Sequence, residues 1–319
     1  MLVVVLAAIL LLAEAAYPFR PELPVLARHG PEHAATGIVS FDGSSILESR
    51  GSAGWVAVAR RSGTLAVSLE LQTASPDQEG PARVLTIARD YLRSDLTVGQ
   101  DGSDLVVRLR RPGSTALGEP ALRVAGLLRD REWHRVTVVV DRGRAAVVAD
   151  GRRAQSEPVG ARPLLSWDPR YRVALGDEPL GDRGWAGDLR RATVSTPGRT
   201  VDLLATGVLR PRSDLVVRER ARGLLHLEPG DSWPVGLLRL LAFVPLGAAI
   251  QWRWSRARWT LLAVALIAIA TVLVKAFVAG RHPIAGDALL AACGGAIGCA
   301  LGAWLAWVRP LGRARGLAR

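Results

Sequence analysis

The chain has 319 residues and a formal net charge of +12 at pH 7, from 41 Lys and Arg against 29 Asp and Glu. A basic chain can be a nucleic-acid binder, but many of these arginines flank apolar runs or are spread along strand-like segments, so we expect no nucleic-acid partner. The two cysteines, Cys293 and Cys299, are separated by about 9 Å along one predicted helix, which excludes a disulfide between them.

Residues 1–17 form an apolar run that we interpret as a first transmembrane helix. A cleaved signal peptide is the alternative, because residues 13–15 have the small-x-small pattern of a cleavage site, although no Lys or Arg precedes the run. Under either interpretation, the polar block at residues 18–232 is exported.

Within that block, residues 35–200 have the pattern of a β domain between two linkers, at 18–34 and 201–232. The stretch 135–151 contains two Val-rich runs joined by an Arg-Gly turn, which predicts a hairpin. Similar short apolar segments occur at 64–72, 105–111 and 172–177. Because no long run has helical periodicity, we predict an all-β sandwich with few helices.

Three passages of this block stand out: TVGQDGSDLVVRLRRP (97–112), REWHRVTVVVDRGRAAVVADG (131–151) and RVALGDEPLGDRGWAGDL (172–189). They resemble the concanavalin A-like and laminin-G-like jelly rolls. The resemblance implies two curved antiparallel sheets. It also implies a concave sheet or rim loops that bind glycans or proteins.

Two kinds of residue in the block suggest binding. Trp185, in a Gly-rich loop, is a candidate glycan contact, whereas Trp133 is expected to fill the core. Three acids cluster nearby, and we interpret them as turn residues, with a calcium site as the alternative because oxygen ligands on an irregular loop suit that ion. These acids are Asp177, Glu178 and Asp182. We expect no other metal or cofactor.

Catalysis is not expected in the β block. A retaining glycosidase of this fold needs two carboxylates about 5 Å apart, which on a strand means acids two positions apart, and no predicted strand has that pair. No phosphate-binding loop or nucleophile motif is present either. We therefore expect a protein that is not an enzyme.

The C-terminal region, residues 233–319, contains three further apolar runs of about the ~20 residues that a membrane helix needs, at 234–251, 260–279 and 285–308. Arginines lie between the first two runs and after the third, which places both segments in the cytoplasm. The predicted architecture is a jelly roll attached to a bundle of four transmembrane helices. We expect it in a bacterial plasma membrane, with residues 18–232 extracytoplasmic and a cytoplasmic C-terminus.

Two passages of this C-terminal region are informative. The first is LLRLLAFVPLG (237–247) and the second is GRHPIAGDALLAACGGAIG (280–298). They resemble the VanZ-like membrane family, although Arg239 stands where the family usually has Asn, and the second passage keeps the family's Arg and Asp but not its Asn. The resemblance implies a link to glycopeptide (teicoplanin-type) resistance or to the handling of envelope polysaccharide.

Ionisable residues gather near the predicted outer ends of these spans, where charge costs free energy and often marks a site. We predict a lipid head-group site in which basic side chains face an anion and Asp287 orients Arg281. The alternative is structural, with Asp287 capping a helix and the cations snorkelling. The candidate residues are Arg239, Lys275, Arg281, His282 and Asp287.

The last apolar run also contains a stripe of small residues, Gly294, Gly298 and Gly302, for which we predict close helix packing.

The leading functional hypothesis is a cell-envelope protein whose jelly roll binds a glycan or glycolipid. Two alternatives remain. One is a membrane enzyme that acts on a lipid-linked substrate, with Asp287 or His282 as acid or base. The other is a protein–protein interaction module that the helices only anchor.

Overall fold

The computed structural model describes residues 2–16, 27–34, 36–90, 92–141, 143–179, 183–213, 224–225, 227, 233–254, 256–278 and 283–316. The chain divides into two compact units. The β unit is Val25–Val216, and the helix unit combines Met1–Pro24 with Val217–Arg319.

The β unit is a sandwich of two sheets whose strands pair antiparallel. One sheet has the order β1 (Glu32–His33), β2 (Val39–Asp42), β13 (Ala186–Thr196), β4 (Leu65–Thr73), β9 (His134–Asp141), β10 (Gly143–Ala149) and β11 (Arg152–Gly160), with β14 (Arg199–Asp202) beside β13. The other has the order β15 (Arg210–Pro211), β3 (Leu47–Glu48), β12 (Arg172–Leu175), β5 (Ala82–Asp90), β6 (Arg93–Asp101), β7 (Asp104–Leu109) and β8 (Leu122–Val124). A single described helix, α2 (Gly54–Ser62), belongs to this unit.

The alternation of buried and less buried side chains along the strands explains why the two sheets pack face to face. In β4, every second residue from Leu65 to Leu71 is fully buried and the residues between them are half-buried, because successive side chains on a strand point to opposite faces. β4 pairs with β9, which alternates in the same way, and leucines of the second sheet such as Leu85 and Leu96 pack into the same core. The predicted jelly-roll sandwich and the 135–151 hairpin are confirmed.

The β unit extends beyond the predicted block at 35–200. β1 and β15 lie in the segments that we predicted to be linkers. Two-residue strands such as these have no detectable alternation, so their pairing with β2 and β3 could not be predicted from the local sequence.

His134, at the start of β9, pairs with Asp150 in the turn after β10 and with Asp130, four residues earlier in the chain. His134 Nδ1 lies 2.9 Å from Asp150 Oδ2, and His134 Nε2 lies 2.8 Å from Asp130 Oδ1. Both ring nitrogens can donate at once only when the ring is protonated. Burial lowers the pKa of His134, but hydrogen bonds to the two carboxylates outweigh it and raise that pKa above its usual value.

This raised pKa predicts a pH-dependent contribution to stability. Because the folded state binds the proton more tightly, the stabilisation is fully present below the ordinary pKa of about 6.5 and is lost as pH rises through the folded pKa. We expect His134→Gln to lower the free energy of unfolding by about 1 kcal/mol at pH 5.5 and by less at pH 8.5. Urea titrations of the full chain at the two pH values measure the difference, and an equal loss at both would contradict it.

The helix unit contains α1 (Leu2–Ala16), α3 (Trp233–Trp254), α4 (Ala257–Lys275) and α5 (Ala285–Gly316). The last three contact one another, and α1 contacts α3 and α4. Among the described residues, two helices are long and apolar enough to cross a membrane, namely α4 and the part of α5 from Ala285 to Val308. The predicted count of four spans is not reached. α1 has 15 residues, about 22 Å of helix against a hydrocarbon core of ~30 Å, and α3 includes polar residues along its length.

The helices α3, α4 and α5 share an apolar core. Phe243 and Leu246 of α3 pack against Val264 and Ala268 of α4 and Ala291 of α5. α3 and α5 approach closely at the glycine stripe. A Cβ added at Gly294 or Gly298 would overlap the carbonyl oxygen of Leu240 or Val244, and one added at Gly302 would lie 2.9 Å from that of Ala248.

Candidate functional sites

Three of the five predicted head-group residues lie together at one end of the helix unit. Asp287 Oδ1 is 2.7 Å from Arg239 Nη1, and Asp287 Oδ2 is 2.7 Å from Lys275 Nζ. All three side chains are at most 10% exposed. Arg281 and His282 lie outside the described residues. We call Arg239, Lys275 and Asp287 the ionic cluster.

The cluster forms because of where its residues stand in their helices. Lys275 is the last residue of α4, Asp287 is in the first turn of α5, and Arg239 is in the first half of α3. Consecutive antiparallel helices bring these positions to one end. The positive N-terminus of α5 also favours a carboxylate there. Asp287 therefore joins α3 and α4 to α5.

A second polar group lies at the opposite end of the same helices. Thr260 Oγ1 donates a hydrogen bond of 2.9 Å to Gln251 Oε1, and Cys299 Sγ donates one of 3.2 Å to the same oxygen. Lipid offers no hydrogen-bond partner to a polar side chain, so helix bundles in membranes place such residues where another helix can bond them. The apolar core thus has a polar group at each end.

Trp185 is not a surface residue, so the prediction of an exposed glycan contact there is wrong. Its side chain is fully buried, its Nε1 donates a 2.9 Å hydrogen bond to Gln100 Oε1, and its ring lies 6.2 Å from that of Phe41. The glycines that suggested a loose loop have another role. A Cβ at Gly187 would overlap the indole, so the missing side chain makes room for the buried ring.

Trp133, for which the sequence predicts a position in the core, lies nearer the surface. It is half-buried, and the guanidinium of Arg190 lies 4.5 Å from its ring centroid. The expected core position is therefore wrong, and the indole instead supports a cation–π contact at the surface.

The two described acids of the candidate calcium loop are counter-ions of buried arginines. Asp177 lies 3.1 Å from Arg28, and Glu178 lies 2.9 Å from Arg83, with both acids at most 3% exposed. Neither is a solvated turn residue. Asp182 lies outside the described residues, and among those described no group of three His, Cys, Asp or Glu could hold a metal ion. The calcium interpretation thus has no support from this geometry.

A pocket of about 490 Å³ in the β unit was not predicted. Its walls come from α2, from the start of β6, from the residue after β7 and from the segment 166–171. Trp167 and Tyr171, both buried, form part of its wall. Four arginines line it, Arg60, Arg93, Arg110 and Arg170. We call it the arginine pocket.

Two of these arginines pair with carboxylates: Arg110, whose side chain is 17% exposed, and Arg170, whose side chain is 86% exposed. Arg110 Nη2 lies 2.6 Å from Asp95 Oδ1, and the guanidinium lies 5.3 Å from the ring centroid of Tyr171. Arg170 donates to both oxygens of Asp168, at 3.0 and 2.7 Å. The backbone N–H of Asp168 in turn donates to Asp95 Oδ2 at 2.8 Å. The largely buried contact of Arg110 with Asp95 reduces the freedom that the Arg110 side chain would lose on binding a ligand.

The arginine pocket stays positive at neutral pH. Asp168 is the carboxylate among its described lining residues, and the hydrogen bonds from Arg170 lower the pKa of that group to about 2. Asp95 lies behind the wall, and burial raises its pKa to about 7 despite the charge of Arg110. Even with both acids ionised, four guanidinium groups exceed two carboxylates. Such groups recognise carboxylate, sulfate and phosphate through paired hydrogen bonds.

No sequence signal marks this pocket. Its arginines come from positions 60 to 170, and they stand among 41 Lys and Arg in the chain. Only the fold brings them together, since no two of them are close enough in sequence to form a motif.

Comparisons with known proteins do not assign the chain to a family. No family model matches it and no curated protein matches it, so the VanZ-like resemblance is not confirmed. Among solved structures, the chain is similar to domains LG4-5 of the mouse laminin α1 chain, at 18% identity and a TM-score of 0.37 over 58% of this chain and 49% of that one. It is therefore matched to only about half of that laminin fragment.

Two further structures show the same level of likeness. The LG1-3 region of the laminin α2 chain is 13% identical, with a TM-score of 0.41 over 58% of this chain and 36% of that one. A Ruminococcus gnavus sialidase CBM40 domain bound to α2,3-sialyllactose is 13% identical, with a TM-score of 0.36 over 54% of this chain and 91% of that one. These values are too low to assign a ligand or an activity.

Proposed function

We propose that this protein is a membrane-anchored cell-envelope protein whose β unit binds an acidic glycan or glycolipid in the arginine pocket. The observation that carries the proposal is the pocket itself, because four arginines converge on a cavity of about 490 Å³ with two aromatic side chains in its wall. That volume is within the range of small-ligand sites. A sugar offers hydroxyl groups and apolar ring faces, and an acidic sugar adds an anion of the kind that guanidinium groups recognise.

Binding rather than catalysis is supported by the state of the two carboxylates. Asp168 is engaged by both Nε and Nη2 of Arg170, and Asp95 is fully buried behind Arg110. A general acid or base must reach the proton that it transfers. Neither group faces the cavity as a free carboxylate, which favours a binding protein.

The membrane anchor in this proposal consists of the apolar helices of the helix unit. Two of them meet the length and composition of a membrane span. In our proposal α3, which has 22 residues, crosses the membrane as well, so that the β unit is extracytoplasmic and the arginines after α3 are cytoplasmic, in a bacterial plasma membrane. The ligand would then be a component of the envelope, such as an acidic polysaccharide.

Arg60 gives the cleanest test, because it lines the pocket and is exposed, whereas its neighbour Arg61 is exposed in the same helix and does not line the pocket. We expect Arg60→Gln to weaken binding of an acidic glycan by about tenfold or more, since a charge-assisted hydrogen bond contributes about 1.5–3 kcal/mol. Arg61→Gln should bind like the wild type.

The measurement is calorimetric titration of the full chain in detergent with sialyllactose, with a sulfated disaccharide and with uncharged lactose. Binding of either acidic sugar that is lost in Arg60→Gln but kept in Arg61→Gln supports the proposal. Equal affinities for the two variants, or equal affinities for the acidic sugars and lactose, would overturn it.

A further inference from the structure

Arg110 is the arginine of the pocket whose charge is offset by a fully buried acid. Its Nη2 lies 2.6 Å from Asp95 Oδ1, and the side chain of Asp95 is 0% exposed whereas that of Arg110 is 17% exposed. Because water does not reach Asp95, solvent screens this contact little. Arg110 lines the arginine pocket, so its guanidinium would also face an anion bound there. Asp95 and an acidic ligand therefore compete for one guanidinium.

Arg110 has further contacts that hold it in the pocket wall. Its Nη2 also donates to the carbonyl oxygen of Ser166, and its guanidinium lies 5.3 Å from the ring centroid of Tyr171. Its backbone is held as well, because Trp167 Nε1 donates a 3.0 Å hydrogen bond to the carbonyl oxygen of Arg110. None of these contacts needs a negative charge on Asp95. Loss of that charge would therefore leave Arg110 in place and remove the acid that offsets it.

Asp95 can become neutral without rearrangement of the residues around it. Its Oδ2 accepts a 2.8 Å hydrogen bond from the backbone N–H of Asp168, and a protonated carboxyl group still has an oxygen that accepts such a bond. Burial away from water favours the neutral form, and it raises the pKa of Asp95 to about 7 although the charge of Arg110 opposes this. Among the described residues, the ionisable groups around Asp95 are Arg110 after β7 and Asp168 and Tyr171 in the segment 166–171, with Arg89 of β5 acting on Tyr171.

We propose that Asp95 is an internal competitor for Arg110, and that protonation of Asp95 strengthens the binding of an acidic ligand in the arginine pocket. This inference rests on the function proposed for the pocket. At pH 5.5 Asp95 is neutral and the charge of Arg110 is available to the ligand, whereas at pH 8.5 the carboxylate offsets that charge and repels the ligand. Asp168 stays ionised at both pH values, because its pKa is about 2. By linkage, a bound anion also favours the protonated form of Asp95.

Asp95→Asn tests the competition directly, since asparagine keeps the shape of the side chain and an oxygen that accepts the Asp168 N–H, but it carries no charge. The probe is a sulfated disaccharide, whose sulfate is ionised at both pH values, titrated calorimetrically into the full chain in detergent. We expect the wild type to bind it about tenfold more tightly at pH 5.5 than at pH 8.5, because one opposing charge beside Arg110 is removed. Asp95→Asn should bind at pH 8.5 as tightly as the wild type binds at pH 5.5, with no further change between the two pH values.

Two controls show whether Asp95 is the group that titrates. Asp168→Asn changes an acid that lines the same pocket and is ionised at both pH values, so it should tighten binding and keep the pH dependence. His134→Gln removes a histidine whose pKa is raised and should also keep it, a comparison that does not require Asp95→Asn to fold.

The outcomes separate this inference from the function proposed for the pocket. Equal wild-type affinities at pH 5.5 and pH 8.5, a pH dependence that persists in Asp95→Asn, or one that is lost in His134→Gln would overturn the inference and leave the proposed function in place. If neither the sulfated disaccharide nor sialyllactose bound at either pH, both would be overturned.

Discussion

Replacing Arg83 by alanine is expected to destabilise the β unit by about 3–5 kcal/mol, since it removes one partner of a buried ion pair. Arg83 Nε lies 2.9 Å from Glu178 Oε2, and the two side chains are 2% and 1% exposed. The other oxygen, Oε1, is buried and accepts no hydrogen bond from the described residues. Without Arg83, the carboxylate of Glu178 would lose its principal counter-ion in a place that water does not reach.

Two controls identify the cause of that loss. The double variant Arg83→Met/Glu178→Leu removes both charges and keeps similar volumes, so it should recover most of the stability. Arg123→Ala breaks the exposed pairs with Asp101 and Asp104 and should cost about 0–1 kcal/mol. Hydrogen exchange of β5 and β12 in the full chain reports on the β unit separately from the helices. If Arg83→Ala and Arg123→Ala had equal effects, burial would not be the reason.

The strands and helices with strong periodicity could be predicted, because their burial follows from residues next to one another in sequence. β4 and β9 alternate over seven or more residues, and the period of two assigns a face to each side chain. Trp185 shows where prediction from the local sequence fails. Its surrounding glycines are typical of an exposed loop, yet Gly187 creates the space that its ring fills.

Which residues form ion pairs with each other could not be predicted, since the partners lie far apart in the chain. Asp177 pairs with Arg28 across 149 positions, and no local pattern distinguishes a buried acid of this kind from a turn residue. The ionic cluster is an intermediate case. Helix topology brings the ends of α3, α4 and α5 together, so the proximity of Arg239, Lys275 and Asp287 follows from the sequence, but the sharing of Asp287 by two cations does not.

The glycine stripe determines how closely α3 and α5 can approach. A Cβ at Gly294 or Gly298 would overlap backbone carbonyl oxygens of α3, and a backbone atom cannot move aside as the end of a side chain can. The two helices would have to move apart, and the contacts of Phe243 and Leu246 with Ala291 would be lost. Such overpacking costs about 1–3 kcal/mol for one site, so we expect about 3 kcal/mol or more for Gly294→Ala/Gly298→Ala.

The cysteines of α5 allow this separation to be measured. Cys299 is buried and Cys293 is exposed, so a Cys293→Ser background leaves one protected thiol between α3 and α5. We expect the double glycine variant to react with a maleimide at Cys299 about tenfold faster or more, because local opening exposes that thiol. Gly236→Ala is the matched control, since its added Cβ would meet only the end of the Leu290 side chain at 3.2 Å. If Cys299 stays protected in both variants, α3 and α5 tolerate a wider spacing. The role of the glycines would then not be to allow close approach of the two helices.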